Sequence, residues 1–269
     1  MSVCGQGRPK QSETSAQILL IDIETAPLLV NVWRLWDEHV GLEQLRKDRH
    51  LLSFAAKWLG TREVIYADQS RSKHIEDDRK LLKQIWDLFD AADIVVAHNG
   101  QAFDIPMIQG RMLLQGMPPP SPFTQVDTLL IARKHFALTS NKLEYLSERL
   151  GCPKLKHKVF PGFELWKETL AGNPRAWSEM RKYNIQDVLA LEKVYLKLRP
   201  WMVGHPNLGM YVNSVEPVCP RCGGPVQERG TRTTNFGRYR RYRCNLCRGW
   251  SRGRTLMNTR EHRRLQLAN

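Results

Sequence analysis

Between residues 17 and 198 the chain alternates short apolar runs with stretches in which apolar residues recur every three or four positions. Ile18-Leu19-Leu20-Ile21 has the length of a buried strand, and the pattern continues through Asp22-Ile23-Glu24-Thr25 to stop at Pro27. Residues 51–59 and 63–67 read as two more strands, joined at Gly60-Thr61. Over 75–92, Leu81, Leu82, Ile85, Leu88 and Phe89 form one face of a helix. Ile94-Val95-Val96-Ala97 is another buried strand, and a helix over 103–114 is broken by Pro118-Pro119-Pro120. Residues 126–136 hold a strand end or a short helix. A helix over 141–150 places Leu143, Leu146 and Leu150 together and stops at Gly151-Cys152-Pro153. A long helix over 174–198, with Tyr183, Leu189, Leu191, Val194 and Leu198 as its apolar positions, ends before Pro200.

Strands followed by strands alternating with helices predict an α/β domain over residues 17–200. Gly204, Pro206 and Gly209 make 201–217 a linker, and 218–269 is a small second domain with a basic tail. Residues 1–16 are polar and read as a disordered leader without the apolar region of a secretory signal. No run of about 18 apolar residues is present, which excludes a membrane-spanning helix and leaves a cytoplasmic location as the expectation.

Charge changes this picture at the C-terminal end. The chain carries +14, of which Ser214–Asn269 supplies +10 from thirteen arginines against Glu216, Glu228 and Glu261. So basic a segment on a near-balanced body points to a polyanion partner, nucleic acid first; a solvated basic tail is the plain alternative. The same segment holds Cys219-Pro-Arg-Cys222 and Cys244-Asn-Leu-Cys247. Two such pairs in a reducing compartment predict one structural Zn²⁺ held by four thiolates, without which so small a domain lacks the core to fold. Cys152 reads as a small buried residue. The segment resembles a zinc ribbon, through its C-P-x-C-G knuckle and the Arg240-Arg241-Tyr242-Arg243 approach to Cys244. Those four residues are candidate nucleic-acid contacts, arginine for phosphate and aromatic rings for bases.

Carboxylates mark the larger domain. Asp22 and Glu24 face the same side of an apolar strand, where mutual repulsion and desolvation both cost unless the strand surfaces or a divalent cation binds. Asp104 follows a buried strand at the start of a helix, a place where an N-terminal helix acid is the ordinary explanation. Tyr183 and Asp187 are four apart on one helix face.

Together these segments resemble the motifs of the DEDD superfamily of 3′→5′ exonucleases, over about residues 17–198. Asp22-Ile-Glu24-Thr25 is similar to the D-x-E motif, Asn99-x-x-x-Phe103-Asp104 to the second motif, and Tyr183-x-x-x-Asp187 to the tyrosine (DEDDy) form of the third; the histidine form would need His where Lys182 stands. The resemblance implies a ribonuclease H-like fold, a mixed β-sheet flanked by helices. It also implies two Mg²⁺ or Mn²⁺ held by Asp22, Glu24, Asp104 and Asp187. Tyr183 would position the attacking water, and Thr25, Asn99 and Phe103 would contact substrate, Phe103 serving equally well as a core anchor. Asp127-Thr128 resembles a polar pair that follows the second motif and is not counted as a ligand. Lys154, Lys156 and Lys158 form a basic loop, either a backbone contact or a solvated stretch.

The expected activity is hydrolysis at 3′ ends, of single-stranded DNA in first place, to nucleoside 5′-monophosphates, with any polymerase or repair partner acting in trans. An exoribonuclease, a structure-specific endonuclease on the same fold and a non-catalytic nucleic-acid-binding protein are the alternatives.

Overall fold

The computed structural model describes residues 15–36, 39–151 and 159–267. Most of the leader, Cys152 and the Lys154/Lys156/Lys158 loop lie outside the described residues. Two compact units form, Gln17–Tyr195 and a second beginning at Leu196.

In the larger unit β1 (Ile18–Thr25) is central. A small excursion follows, with β2 (Leu29–Val30) paired to β3 (Leu45–Lys47). The chain then returns as β4 (Leu51–Trp58) and turns into β5 (Ile65–Asp68). Next come α1 (Arg79–Asp90), β6 (Ile94–Ala97), α2 (Asp104–Leu114), β7 (Thr124–Asp127) and α3 (Thr128–His135). Three helices close the unit: α4 (Leu143–Arg149), α5 (Glu164–Leu170) and α6 (Pro174–Leu198). The sheet order is β5-β4-β1-β6-β7. β1 runs antiparallel to β4 and parallel to β6, so the sheet is mixed.

Alternation along β1 sorts its residues onto two faces. Leu19, Ile21 and Ile23 enter the main core with Phe54, Ala56, Leu82, Ile85, Phe89 and Ile108, the α1 and α2 side. Leu20, Asp22 and Glu24 point to the other side, where Ser53 of β4 and Asn184 of α6 are joined. Every residue of β4 is buried, including Lys57, whose Nζ reaches Glu192 of α6 at 2.7 Å. A Lys on a strand covered on both faces needs that partner, and the pair fixes α6 against the sheet.

A second buried pair ties the opposite layer together. Asp78 is fully buried and takes Arg111 of α2 bidentately, Nε and Nη2 both at 2.9 Å, while also accepting from Leu51 N at 3.0 Å. One carboxylate thereby sets the start of α1, the start of β4 and the position of α2. The expected 75–92 helix begins only at Arg79, because Asp78 is used in this way; Gln69 holds the preceding turn through Nε2 to Asp77 O at 2.8 Å.

The smaller unit is a three-stranded antiparallel sheet, β8 (Val226–Thr234), β9 (Gly237–Cys244) and β10 (Trp250–Leu256) in the order β10-β9-β8, followed by α7 (Arg260–Arg264). Residues expected to link the domains are packed into this unit. Leu208 N donates to Pro220 O at 2.7 Å, and Arg221 Nε donates to Met202 O at 2.9 Å, with Met202 buried. Gly and Pro around two isolated apolar residues hid that packing from the sequence pattern. Among the described residues no helix is long and apolar enough to cross a membrane.

Replacing Arg111 with Met leaves the Asp78 carboxylate buried without its counter-charge, an imbalance that costs about 3–5 kcal/mol. Urea unfolding of the full chain should show a loss of this order in Arg111→Met. An unchanged midpoint would remove the pair from the stabilising set.

Candidate active site and metal centres

β1 delivers Asp22 and Glu24 to one face, and α6 crosses that face to deliver Asp187. One carboxylate oxygen from each lies within 4.8 Å of the others. Glu24 and Asp187 are buried and Asp22 half-buried. Burial lifts the Asp22 carboxyl well above the usual carboxylate range; the charges of Asp187, Glu24 and Asp104 push the same way, and a hydrogen bond from Asn184 opposes them. An all-oxygen, anionic donor set of this kind suits a hard divalent cation.

Asp104 stands just outside this trio, at the first position of α2. Its Oδ1 accepts from Ile23 N at 3.3 Å, which ties it to the strand segment between Asp22 and Glu24. Burial pushes its carboxyl up to about 7 against two backbone N–H bonds, from Ile23 and from its own amide, and the charge of Asp127 adds to the rise.

Two residues given no role by the sequence hold this arrangement. Asn184 is fully buried, donates through Nδ2 to Asp22 Oδ2 at 2.6 Å and to Asp22 O at 3.1 Å, and accepts from Ser53 Oγ at 3.1 Å. It lies three positions before Asp187, on the same helix face. The available signal was an amide at a core-facing position of an otherwise apolar stripe, Met180, Val188 and Leu191. Asp127 caps α3 through Leu129 N and Leu130 N, and also accepts from Asn99 N and Gln101 N, both at 3.1 Å. It is the organiser of the loop that leads to Asp104.

Within that loop Asn99 sits at φ 70, a left-handed conformation that Asn tolerates better than most residues. Phe103 packs against the main core. Tyr183 is half-buried one turn before Asp187, its ring edge-on to Trp166 at 6.3 Å. Thr25 is half-buried at the end of β1, where the register with β4 shifts.

In the smaller unit the four expected thiols converge. Cys219 and Cys247 sulfurs are 3.6 Å apart, those of Cys222 and Cys244 3.5 Å, and all four lie within 4.8 Å. A tetrahedron with Zn–S bonds of about 2.3 Å has edges of about 3.8 Å, so the cluster fits Zn²⁺. The two knuckles are built alike. Cys219 N donates to Gly224 O and Cys244 N to Gly249 O, each five residues on, and the residue after each second cysteine is left-handed, Gly223 at φ 70 and Arg248 at φ 64. Burial opposes ionisation of Cys244, but N–H bonds from Cys247 and Leu246 and contacts with the thiols of Cys222 and Cys247 bring it down to about 7. Burial pushes Cys219 and Cys247 up.

Register splits the basic run between two faces. Trp250 pairs with Arg243, Arg252 with Arg241 and Arg232 with Tyr239, so these six share one side. Ring contacts agree: Arg241 and Arg243 lie over Trp250 at 4.7 and 5.7 Å, and Arg252 over Tyr239 at 4.3 Å. Arg240 and Tyr242 take the opposite side with Glu228, which pairs with Tyr242 and binds Arg240 Nη1 at 2.9 Å. The one acid in these three strands therefore pairs with Arg240 on the other face.

The model of the RNase_H superfamily matches residues 38–199. That stretch begins after β1, so the Asp22/Glu24 pair stands on geometry alone. Among solved structures, the family B DNA polymerase from the hyperthermophilic archaeon Pyrobaculum calidifontis is similar at 15% identity with a TM-score of 0.46, over 72% of this chain and 26% of the polymerase. The chain thus spans about a quarter of that protein's length. No curated protein matches.

Two outcomes follow for the centres. In chelator, Asp104 binds a proton up to about pH 7 when folded but only to about 3.8 when unfolded, so stability falls as pH rises through that window. Asp104→Asn should match the wild type near the lower limit and exceed it increasingly towards the upper one. Parallel curves of unfolding free energy against pH would assign the effect elsewhere. For the thiol cluster, Cys244→Ser should lose bound zinc by elemental analysis and lose amide-exchange protection over 219–256, with 17–195 unchanged; retained zinc would sink the assignment.

Proposed function

The chain belongs to the RNase H superfamily, and from that premise and its carboxylate cluster we propose that it is a metal-dependent 3′→5′ exonuclease of the DEDDy type. Single-stranded DNA ends are the proposed substrate and nucleoside 5′-monophosphates the product. The observation that carries this reading is the convergence of Asp22, Glu24 and Asp187 from two elements, with Asp104 fastened beside them through the Ile23 amide. Four acids and a tyrosine one helical turn before the last of them make the set that the DEDDy motif describes.

Asp22, Glu24, Asp187 and Asp104 would hold Mg²⁺ or Mn²⁺. Such ions supply positive charge against the phosphate and lower the pKa of bound water. Asn184 fixes the Asp22 carboxylate by donating to Oδ2, so Asp22 reaches its ligand position without a rotamer search. Tyr183 orients the attacking water by hydrogen bonding; an ordinary phenol, near pKa 10, is a poor base for its proton. Asn99 and Thr25 flank the cluster as substrate contacts, while Phe103 braces the loop from the core side.

The smaller unit serves as the strand-gripping module. With Zn²⁺ and four thiolates its net charge is still about +8, which draws a polyanion. Arg232, Arg241, Arg243 and Arg252 on the acid-free face contact phosphates, and Trp250 and Tyr239 hold the guanidinium planes in place beneath them.

Asp22→Asn and Asp187→Asn should each slow degradation of a 5′-labelled oligonucleotide in Mn²⁺ by roughly a thousandfold or more, with binding retained. The wild type should give a ladder; one discrete product would mean an endonuclease, and no product a binder. For the grip, converting Arg241, Arg243 and Arg252 together to Gln should flatten the slope of log affinity against log salt by about 2, at about 0.7 per lost single-strand phosphate contact. The pair Arg238→Gln and Arg240→Gln, on the other face, should change it much less. Equal slopes for the two variants would remove the distinction between faces.

A further inference from the structure

α5 meets α6 at a corner held from both sides. Gly172 turns the chain at φ 81, a left-handed conformation, and Asn173 N donates to Glu168 O at 3.0 Å. The Asn173 side chain donates through Nδ2 to Glu168 Oε2 at 2.7 Å and accepts through Oδ1 from Arg175 N at 3.0 Å, so one residue closes α5 and caps α6. Leu165 and Thr169 are the buried positions of α5, and Trp166 lies half-buried beside Leu165. That indole packs against two separate apolar clusters. One is Leu165, Ala176 and Met180, where α5 rests on α6; the other is Ala26, Leu52 and Trp177, at the end of β1 and the start of β4.

Along α6, Ala176, Met180, Tyr183 and Asp187 follow one another at helical spacing and form one stripe. Its first two members are buried under α5, and its last belongs to the carboxylate cluster. Tyr183 stands between them, where the stripe passes from packing to chemistry. There the indole of Trp166 meets the phenol ring at 80°, centroids 6.3 Å apart. Edge-to-face pairs at about 4.5–7 Å attract each other and favour one relative orientation. Leu165, Ala176 and Met180 already fill the seam between the helices without any exposed surface. The indole is therefore surplus to joining α5 to α6, and what it adds is a wall for Tyr183.

We propose that Trp166 is a positioning residue for the reaction: by holding the ring of Tyr183 it sets where the tyrosine hydroxyl stands, one helical turn from Asp187. A phenol turns about two side-chain torsions and carries its hydroxyl at the far end of the ring, so a small swing of the ring displaces the oxygen most. The backbone of α6 does not fix those torsions; a neighbour must. Trp166 is suited to this because it is itself held, against α6 through Ala176 and Met180 and against the end of β1 through Ala26, two residues beyond Glu24. The same indole thus touches the ends of both elements that deliver the acids, and it carries the phenol in register with them. A water-orienting group displaced by about 1 Å can cost up to about a hundredfold in rate, so the wall matters to the chemistry and little to substrate affinity.

The inference rests on the exonuclease reading, in which Tyr183 orients the attacking water, and a double-mutant cycle keeps the two apart. In the full chain, with Mn²⁺ and a 5′-labelled oligothymidylate, Trp166→Met fills the space without a ring. It should lower the single-turnover rate about five- to tenfold, with affinity for the oligonucleotide in Ca²⁺ within about twofold of the wild type. Trp166→Phe should recover most of the rate, since an aromatic wall returns. Added to Tyr183→Phe, Trp166→Met should cost less than about twofold more, because the hydroxyl through which it acts is already gone. A wild-type rate in Trp166→Met, losses that multiply in the double variant, or a phenylalanine variant as slow as the methionine one each overturn the positioning role and leave the exonuclease reading standing. Tyr183→Phe at the wild-type rate, or no cleavage by the wild type, defeats that reading and the positioning role with it. Should Trp166→Met fail to fold, ¹⁹F NMR of the wild type labelled with 3-fluorotyrosine decides. The Tyr183 resonance, identified by its absence in Tyr183→Phe, should lie apart from its position in urea; coincidence of the two shows a ring that nothing holds and overturns the proposal.

Discussion

Carboxyl groups forced together at the end of one strand repel each other, and much of the larger unit is arranged to hold them there. Asp22 feels Asp187, Glu24 and Asp104 at once in a site where burial already disfavours charge. A cluster of this kind does not persist by its own interactions. Asn184 donates into it, the Ile23 amide donates to Asp104, and Asp127 gathers four backbone N–H groups to set the loop before α2. The Lys57–Glu192 pair then anchors α6 from further along its length, so the helix that brings Asp187 cannot slide away from it. A hydrogen-bond donor is placed at the crowded carboxylates, and a full charge pair is kept at a distance.

The smaller unit solves a different problem. Its strands are mostly exposed and its sheet has little apolar filling, so four thiols do what a core does elsewhere. Once the knuckles fix the sheet, strand register decides what the arginines can do. Neighbours in sequence become opposites in space: Arg240 meets an acid, and Arg241 lies on an indole. A run that looks uniformly basic is two surfaces of unequal positive charge.

Much of this was legible in the residues themselves. The strand over 18–25, the pair over 51–68, the strand at 94–97 and the helix over 174–198 follow from apolar runs and spacing, and spacing brought out the three acid segments and the cysteine pairs. What escaped has physical reasons. Asn184 is polar inside an apolar stripe, and a single amide carries no periodic signal. β2 and β3 are two and three residues long, too short for alternation to appear, and they leave their apolar residues in water. The start of α1 moved to Arg79 because a tertiary ion pair claimed Asp78, which no local pattern announces. The facing of Arg240 and Arg241 depends on partners across the sheet, and register is a property of strands in pairs.

The hydrogen bond from Asn184 to Asp22 joins residues separated by 162 positions. Its consequence lies in the order of events during synthesis. Closing so long a loop is entropically slow, and α6 must leave the ribosome before it can close at all. Until then β1, β4 and β6 can pair while Asp22 and Glu24 lack both their amide donor and Asp187. A nascent chain therefore presents two acids on an incomplete face and no assembled cluster. The complete carboxylate cluster arrives only with the completed tertiary structure.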